Sequence, residues 1–459
     1  MSSSTAALSL WSAQEFAHVN FGDSRLKRRL IHICENRINR PCSSLPGCHA
    51  DWADLKGTYR FMANDSVKPD EILGSHYRCT AERMKDEAVV LAIQDSCLLD
   101  YSNLEATTGL GPLQTPEHRG IMLHSVLAVR PDRLPLGLMW AKMWTRPQEE
   151  FGKRRQRHQR PFAEKESFKW VEALEACAQL QSELENTLVV HVADREADVY
   201  DFIGRSLELK QPILVRSAQD RCLDNDEQSQ TKRLFNFMAS QPVQSHFEIE
   251  VKRGVKRTAD IARLSLRFCM VELAPPRSRL SQKLPSLPVW AVLAREEDET
   301  LQEGASAIEW LLLSTVPVNT VPEARRNVEW YACRWTIEML HKVAKSGCAI
   351  EKRRFGDAER LQRYLALDLI VAWRVLYLTL AGRQTPDLPC STVLEPSQWQ
   401  ALYCYVHRVR DAPEMPPTLG QAMNWIAGLG GFLGRKGDGY PGTQTMWKGM
   451  VRLLDIEQS

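Results

Sequence analysis

Hydrophobic positions change rhythm several times along the chain. Residues 10–75 carry helical spacing. "GDSRLKRRLIHICENRINR" runs a Leu26/Leu30/Ile33 stripe behind Asp23 or Ser24 as N-cap, and "DWADLKGTYRFMANDSV" predicts a second helix ending near Asn64. From residue 86 the texture is that of strands. "EAVVLAIQDS" is an apolar run ending in Asp95, and "RGIMLHSVLAVRP" and "PLGLMWAKMWTRP" are strands separated by turn residues. "AEKESFKWVEALEACAQLQSEL" reads as a helix, "TLVVHVADREADVYDFIGRS" repeats the sequence strand, Asp194, helix, and "QPILVRS" is a short buried strand. This order predicts an α/β domain whose parallel strands are apolar on both faces.

Residues 220–300 break the alternation. They read as an all-β insertion with a Gly254–Val255 turn and no clear helix, before "AIEWLLLSTVP" returns to a buried strand. "YACRWTIEMLHKVAKSG", residues 331–347, contains no proline and predicts one continuous helix. At roughly 100° per residue its Tyr331, Arg334, Glu338 and Lys345 would share an arc of ~60°, with Ile337, Leu340, Val343 and Ala344 on the far side. Residues 357–383 predict a long apolar helix, and a helical C-terminal region follows the loop "GRQTPDLPC".

Composition narrows the function classes. Hydrophobic content of 44% and charged content of 25% over 459 residues describe a globular protein of several domains. No segment reaches 18 uncharged apolar residues and the N-terminus lacks a basic n-region, so neither a membrane span nor a secretory signal is expected, and the cytoplasm is the expected compartment. The twelve cysteines are scattered without a Cys-x-x-Cys pair; Cys42, Cys48 and His49 make a poor zinc signature. Net charge is only +2, so polyanion binding has to come from local patches. Two stand out. Arg25, Lys27, Arg28, Arg29, Arg37 and Arg40 suit phosphate contact or a solvated helix face. "FGKRRQRHQRPF", with Lys153, Arg154, Arg155, Arg157 and Arg160, reads equally as a solvated loop or a DNA-tracking one.

Candidate chemistry lies where parallel strands end, because reactive groups collect at their carboxyl edges. Asp95 and Asp194 each end a strand in the predicted order. Neighbouring carboxylates repel unless a cation or proton separates them, and an all-oxygen site suits Mg²⁺ or Mn²⁺. Glu338 is a candidate third ligand of a two-metal clamp acting on a phosphodiester. Plainer readings compete: Asp194 before "READ" fits a helix N-cap, and Arg334 with Glu338 is an ordinary i,i+4 pair that Lys342 could join. Trp330, Tyr331 and Trp335 around that acid suit a nucleic-acid strand end.

"YACRWTIEMLHKVAKSG" resembles the Tyr-(2)-Arg-(3)-Glu-(6)-Lys signature of bacterial insertion-sequence transposases of the DDE class, matched by Tyr331, Arg334, Glu338 and Lys345. The likeness is to the insertion-sequence-four family and its transposon-five-like, hairpin-forming members. "GDSRLKRRL" and "GTYRFMAN" are similar to the family's end-recognition domain, "AIQDS", "EKESFKW", "ADREADVY" and "LVRS" to its catalytic core, and "GLGGFLGRKGDGYPGTQTMWKGM" to its C-terminal block.

The resemblance implies an α/β fold: an RNase H-like catalytic core with an all-β insertion, flanked by helical N- and C-terminal domains. Its parts would be 1–75 for transposon-end recognition, 76–219 and 304–383 for the core, 220–303 for the β-rich insertion and 384–459 for dimerisation. It implies cut-and-paste transposition through a hairpin intermediate, on double-stranded DNA, by a homodimer. Asp95, Asp194 and Glu338 would be catalytic and bind two Mg²⁺ or Mn²⁺ ions. Tyr331, Arg334 and Lys345 would hold phosphate, Lys342 and Arg216 nearby backbone, Arg28 and Arg29 the transposon end, and Trp310 would stack on a flipped base. The alternatives are a catalytically decayed DNA-binding inhibitor, which three intact acids oppose, and a nuclease of the same core without strand transfer.

Overall fold

The computed structural model describes residues 11–41, 43–115, 117–150, 152, 160–181, 183–224, 233–250, 261–297, 307–435 and 439–458. Cys42, Lys153, Arg154, Arg155, Arg157 and the Gly254–Val255 turn lie outside them. The chain divides into two compact units: Met1–Glu87, Ser96–Arg154 and Thr336–Ser459 form the first, and Ala88–Asp95 with Arg155–Trp335 the second.

The first unit begins with helices α1 (11–15), α2 (Ser24–Asn39), α3 (Trp52–Met62) and α4 (Pro69–Met84). Asp23 caps α2 by accepting the Arg25 N–H at 2.8 Å, and Asp51 caps α3 through the Asp54 N–H, also at 2.8 Å. Four strands follow in this unit: the second half of β1 (Val89–Asp100), β2 (Gly111–Pro112), β3 (Arg119–Val129) and β4 (Pro135–Trp144). β3 and β4 pair antiparallel, and the Tyr101 N–H donates to the Arg119 carbonyl just past the end of β1. The helix α10 (Ala358–Gln384) is the spine of the unit, packing against α4 and β4, with α11 (Pro396–His407), α12 (Leu419–Leu429) and α13 (Thr443–Gln458) beside it. By length and hydropathy α10 could cross a membrane, but 78% of its apolar window is buried in the protein, as in a core helix.

α10 also carries a charge into that core. The Asp368 carboxylate is 0% exposed, taking Arg37 Nε at 2.9 Å on one oxygen and Arg353 Nε at 2.8 Å on the other. Carbonyls of Pro41, Ser43 and Cys348 accept the remaining guanidinium protons. Arg37, which the sequence grouped with the DNA-facing cations of α2, is therefore an internal strut. Burial pulls its pKa down, but Asp368 together with Tyr364, Cys48 and Cys348 more than offsets this and holds the charge.

In the second unit the strand order is β1-β5-β6-β10-β9-β8-β7. The first half of β1, β5 (Leu188–Ala193) and β6 (Ile213–Arg216) are parallel; β10 (Glu309–Ser314), β9 (Leu287–Glu296), β8 (Ile261–Leu273) and β7 (Ser245–Glu250) continue antiparallel. Helices α5 (Lys169–Gln181), α6 (Tyr200–Glu208), α7 (Leu234–Ser240) and α8 (Val321–Ala332) belong to this unit, and Trp170, Phe202, Ile203, Val215 and Leu313 fill its core. The protein is thus mixed α/β, with a large sheet and helical flanks, consistent with an RNase H-like core.

Four sequence expectations need correction. The stretch called all-β contains the helix α7, and its strands extend the sheet through β9 and β10. Among the described strands only β1, β5 and β6 are parallel, and β3 and β4 form an antiparallel pair. Asp95 does not end a strand: β1 runs on to Asp100 alongside β3 after its parallel partner β5 has stopped at Ala193. Residues 331–347 are not one helix. α8 ends at Ala332 and α9 (Trp335–Lys342) starts after a turn in which Cys333 and Arg334 N–H groups bond three residues back. A π-helical turn, Val343–Gly347, follows, where the Trp447 ring occupies the place a Cβ on Gly347 would need. The shared ~60° arc is lost, because that reckoning requires one uninterrupted 3.6-residue helix. The expected apolar side holds: Ile337, Leu340, Val343 and Ala344 are buried.

Candidate active site

Continuing the β1–β5 register, in which Ile93 faces Val192, by two residues sets Asp95 beside Asp194. Adjacent strands lie about 4.8 Å apart, so the backbone of Asp95 runs close to the point where the chain leaves β5 at Asp194. Their settings differ. Asp194 follows β5 and spends Oδ1 on the Glu196 N–H at 2.8 Å, capping a short 3₁₀ turn as the plainer reading expected. Asp95 sits within the ladder and takes Arg334 Nη1 at 3.6 Å from its Oδ2, with both side chains largely buried. Arg334 therefore reaches an acid on the sheet, which the i,i+4 spacing to Glu338 did not reveal.

Three more of the expected residues join them in the second unit. Trp310 on β10 meets Tyr331 edge-on, ring centroids 5.4 Å apart at 67°. Arg216 ends β6 opposite Leu312 and donates Nη2 to the Glu309 carbonyl at 2.8 Å. Burial raises the Tyr331 pKa; the nearby Arg334 and Arg216 oppose this, while Asp194 adds to it. The phenol is thus surrounded by two guanidiniums and an acid, and stays a hydrogen-bond donor at neutral pH. Asp95, Asp194, Arg216, Trp310, Tyr331 and Arg334 form one neighbourhood.

The sequence reading missed what steadies it. Asp198, fully buried four residues after Asp194, accepts the Ala218 and Gln219 N–H groups at 2.7 and 2.8 Å and the Arg221 guanidinium at 2.6 Å. This ties the turn after β5 to the loop after β6 and so fixes the chain just past Asp194 and Arg216. Nothing in the local sequence "READ" marks Asp198; only its distant partners do.

The other expected residues belong to the first unit. Glu338 is half-buried in the first turn of α9, and Lys342 is exposed at its end. Lys345, in the π turn, pairs with Glu351 at 3.5 Å. Arg28 is exposed on α2, whereas Arg29 Nη1 is held by Asp54 at 2.7 Å. Among the described residues, no group of three or more His, Cys, Asp or Glu side chains is drawn together as a metal site. The donor type suits a hard divalent cation, since Asp95 and Asp194 both offer carboxylate oxygens, and the Arg334 charge stands against that of Asp95.

Behind the acids, His191 on β5 is fully buried. Gln94 Nε2 donates to its Nδ1 at 3.0 Å, which puts the ring proton on Nε2, a buried atom without a partner among the described residues. Burial holds its pKa down to about 3, against 6.5 unburied. Because the lowered value favours the neutral ring in the fold, the unfolded chain binds the extra proton as pH falls below 6.5. Stability is therefore lost on acidification, by about 2 kcal/mol at pH 5 from this group. Urea unfolding at pH 7 and pH 5 should show a smaller acid loss in His191→Leu than in the parent; equal losses refute the assignment.

Two parts of the chain match models of known families. Residues 9–67 match the family model described as transposase DNA-binding, and residues 370–456 match that of the transposase Tn5 dimerisation domain. Together the two matches support a Tn5-like transposase. The chain is also similar to one in a cryo-EM structure of the piggyBac transposase synaptic complex with hairpin DNA, at 12% identity and a TM-score of 0.32. That match covers 81% of this chain and 63% of the other.

Proposed function

We propose that the protein is a cut-and-paste DNA transposase of the DDE class, with the Tyr-Arg-Glu-Lys signature of insertion-sequence-four transposases, working as a homodimer on double-stranded DNA ends. The observation that carries this is the placement of Asp95, within β1, and Asp194, just past the end of its parallel partner β5, in one neighbourhood with Arg334, Arg216, Tyr331 and Trp310. Matches to DNA-binding and dimerisation models near the two ends of the chain support it.

In this reading Asp95, Asp194 and Glu338 hold two Mg²⁺ or Mn²⁺ ions. When bound, such ions activate the attacking oxygen and stabilise the leaving one. The chain's own groups position the DNA. Arg334 and Arg216 neutralise phosphate charge, the Tyr331 hydroxyl donates to a phosphate oxygen, and Lys342 and Lys345 contact backbone. Water cuts one strand at the transposon end. The freed 3′-hydroxyl attacks the opposite strand to close a hairpin, a second water opens it, and the 3′-ends join target DNA. Trp310 offers a ring face to a base extruded at the hairpin turn.

An excision assay tests the proposal: purified protein, Mg²⁺, and a plasmid carrying the DNA that flanks the coding sequence on both sides. Release of a fragment with hairpin ends is expected, and a parent protein that cuts nothing sinks the reading. Trp310→Ala should lower hairpin yield about tenfold or more, from the 1–3 kcal/mol that base stacking contributes, while the first nick slows much less. Equal losses in both steps, resolved on a denaturing gel, remove the stacking role.

A further inference from the structure

A cleft of about 440 Å³ opens in the first unit between α3 and the segments 103–107 and 354–360. Its walls are fixed to one another. Thr107 Oγ1 donates to the Phe355 carbonyl at 2.7 Å, the Thr108 N–H to the Gly356 carbonyl at 3.0 Å, and the Ala358 N–H to the Thr108 carbonyl at 2.9 Å. The cleft is therefore formed before anything binds, which lowers the ordering cost of filling it.

Its lining is mixed in a telling way. Tyr59 meets Phe355 edge-on at 5.8 Å and stays 37% exposed, leaving a ring to pack against a sugar or base. Arg354 and Arg360 are exposed beside it, Arg360 steadied by Asp357 at 3.1 Å. The 103–107 wall adds Asn103 and Glu105, both exposed. Tyr59 also belongs to the outer face of α3, where Trp52, 71% exposed, Lys56 and Arg60 lie within one ~100° arc. On α2, by contrast, Arg37 is buried and Arg29 is held by Asp54.

We propose that this cleft, entered along the outer face of α3, reads the base sequence of the duplex DNA held by the N-terminal module. The inference rests on the transposase reading above and adds to it where the end sequence is recognised. Arg354, Arg360 and Lys56 supply phosphate contacts, which position a duplex without reading it. Asn103 and Glu105 supply what base edges require: an asparagine pairs with adenine, and a carboxylate accepts from the cytosine amino group. Glu105 is the discriminating residue, since a surface built only to clamp phosphate is weakened by a carboxylate.

The test uses the full-length protein and fluorescence anisotropy with two labelled duplexes, one cut from the DNA flanking the coding sequence and one of the same composition with its order shuffled. The parent should prefer the flanking duplex. Glu105→Gln should lose about tenfold of that preference, and Arg354→Ala should weaken both duplexes together while lowering the salt slope by about one. If Glu105→Gln tightens both duplexes equally and keeps the preference, the cleft is a clamp and the inference fails while the transposase reading stands. Unchanged affinity in Arg354→Ala, or a parent without preference, overturns it as well. A parent that binds neither duplex overturns the transposase reading and this inference with it.

Discussion

Asp95→Asn should reduce cleavage at a DNA end by on the order of 10³-fold or more, with little change in folding and equal or tighter DNA binding. The loss of rate follows from the carboxylate's place beside Asp194: an amide is a poor ligand for a hard cation and carries no charge to balance one, so several kcal/mol of transition-state stabilisation disappear. The gain in binding follows from Arg334. In the free protein its guanidinium lies 3.6 Å from the Asp95 carboxylate. Without that anion, Arg334 is more available to a phosphate, which no longer meets a neighbouring negative charge. Single-turnover nicking and equilibrium binding, measured at the same salt concentration, separate the two effects. Binding and cleavage lost in proportion would mean that Asp95 serves only to shape the DNA surface. Glu338→Ala should lose cleavage to a similar degree.

The second large effect concerns stability. Asp368→Asn should destabilise the protein by about 3–5 kcal/mol, because it leaves two buried guanidiniums with no opposing charge. The melting temperature should fall by roughly 10 °C. Adding Arg37→Met to Asp368→Asn should recover part of that loss, since it removes one of the uncompensated cations. If the double variant is as unstable as the two single losses summed, charge imbalance is not the cause. Arg25 and Arg28, which are exposed on α2, should show no comparable effect when replaced.

Much of the strand and helix order was legible from periodicity. Apolar runs such as "VVLAI" and "LVVHVA" lie in β1 and β5, and Asp194 caps the turn after β5 as its sequence setting suggested. Periodicity failed where the outcome depended on a distant partner. β1 passes Asp95 because β3 lies alongside it, and no local signal marks that. The helix expected over 331–347 breaks twice although it contains no proline: Cys333 and Arg334 form a turn, and Trp447, about a hundred residues on, fills the space next to Gly347. The charges divide the same way. Composition could count the cations of α2, but only the fold shows that Arg37 points inward to Asp368 while Arg28 faces water. The acids Asp95 and Asp194 were found by repetition of a strand–Asp pattern. Asp198, which steadies the same neighbourhood, had no pattern to betray it.

The strands of the insertion bear on how far the protein could be shortened. β9 hydrogen-bonds along the whole of β10, from Glu309–Arg295 to Ser314–Trp290, and β10 in turn pairs with β6, which carries Arg216. Cutting out residues 220–303 would therefore not remove a detachable module. It would strip β10 of a neighbour and open a row of unpaired backbone groups in the acids' own sheet, with only β6 between that edge and β5, a template for pairing with other chains. A shortened version of the chain has to keep β9, or cap that edge, before any other residue can be spared.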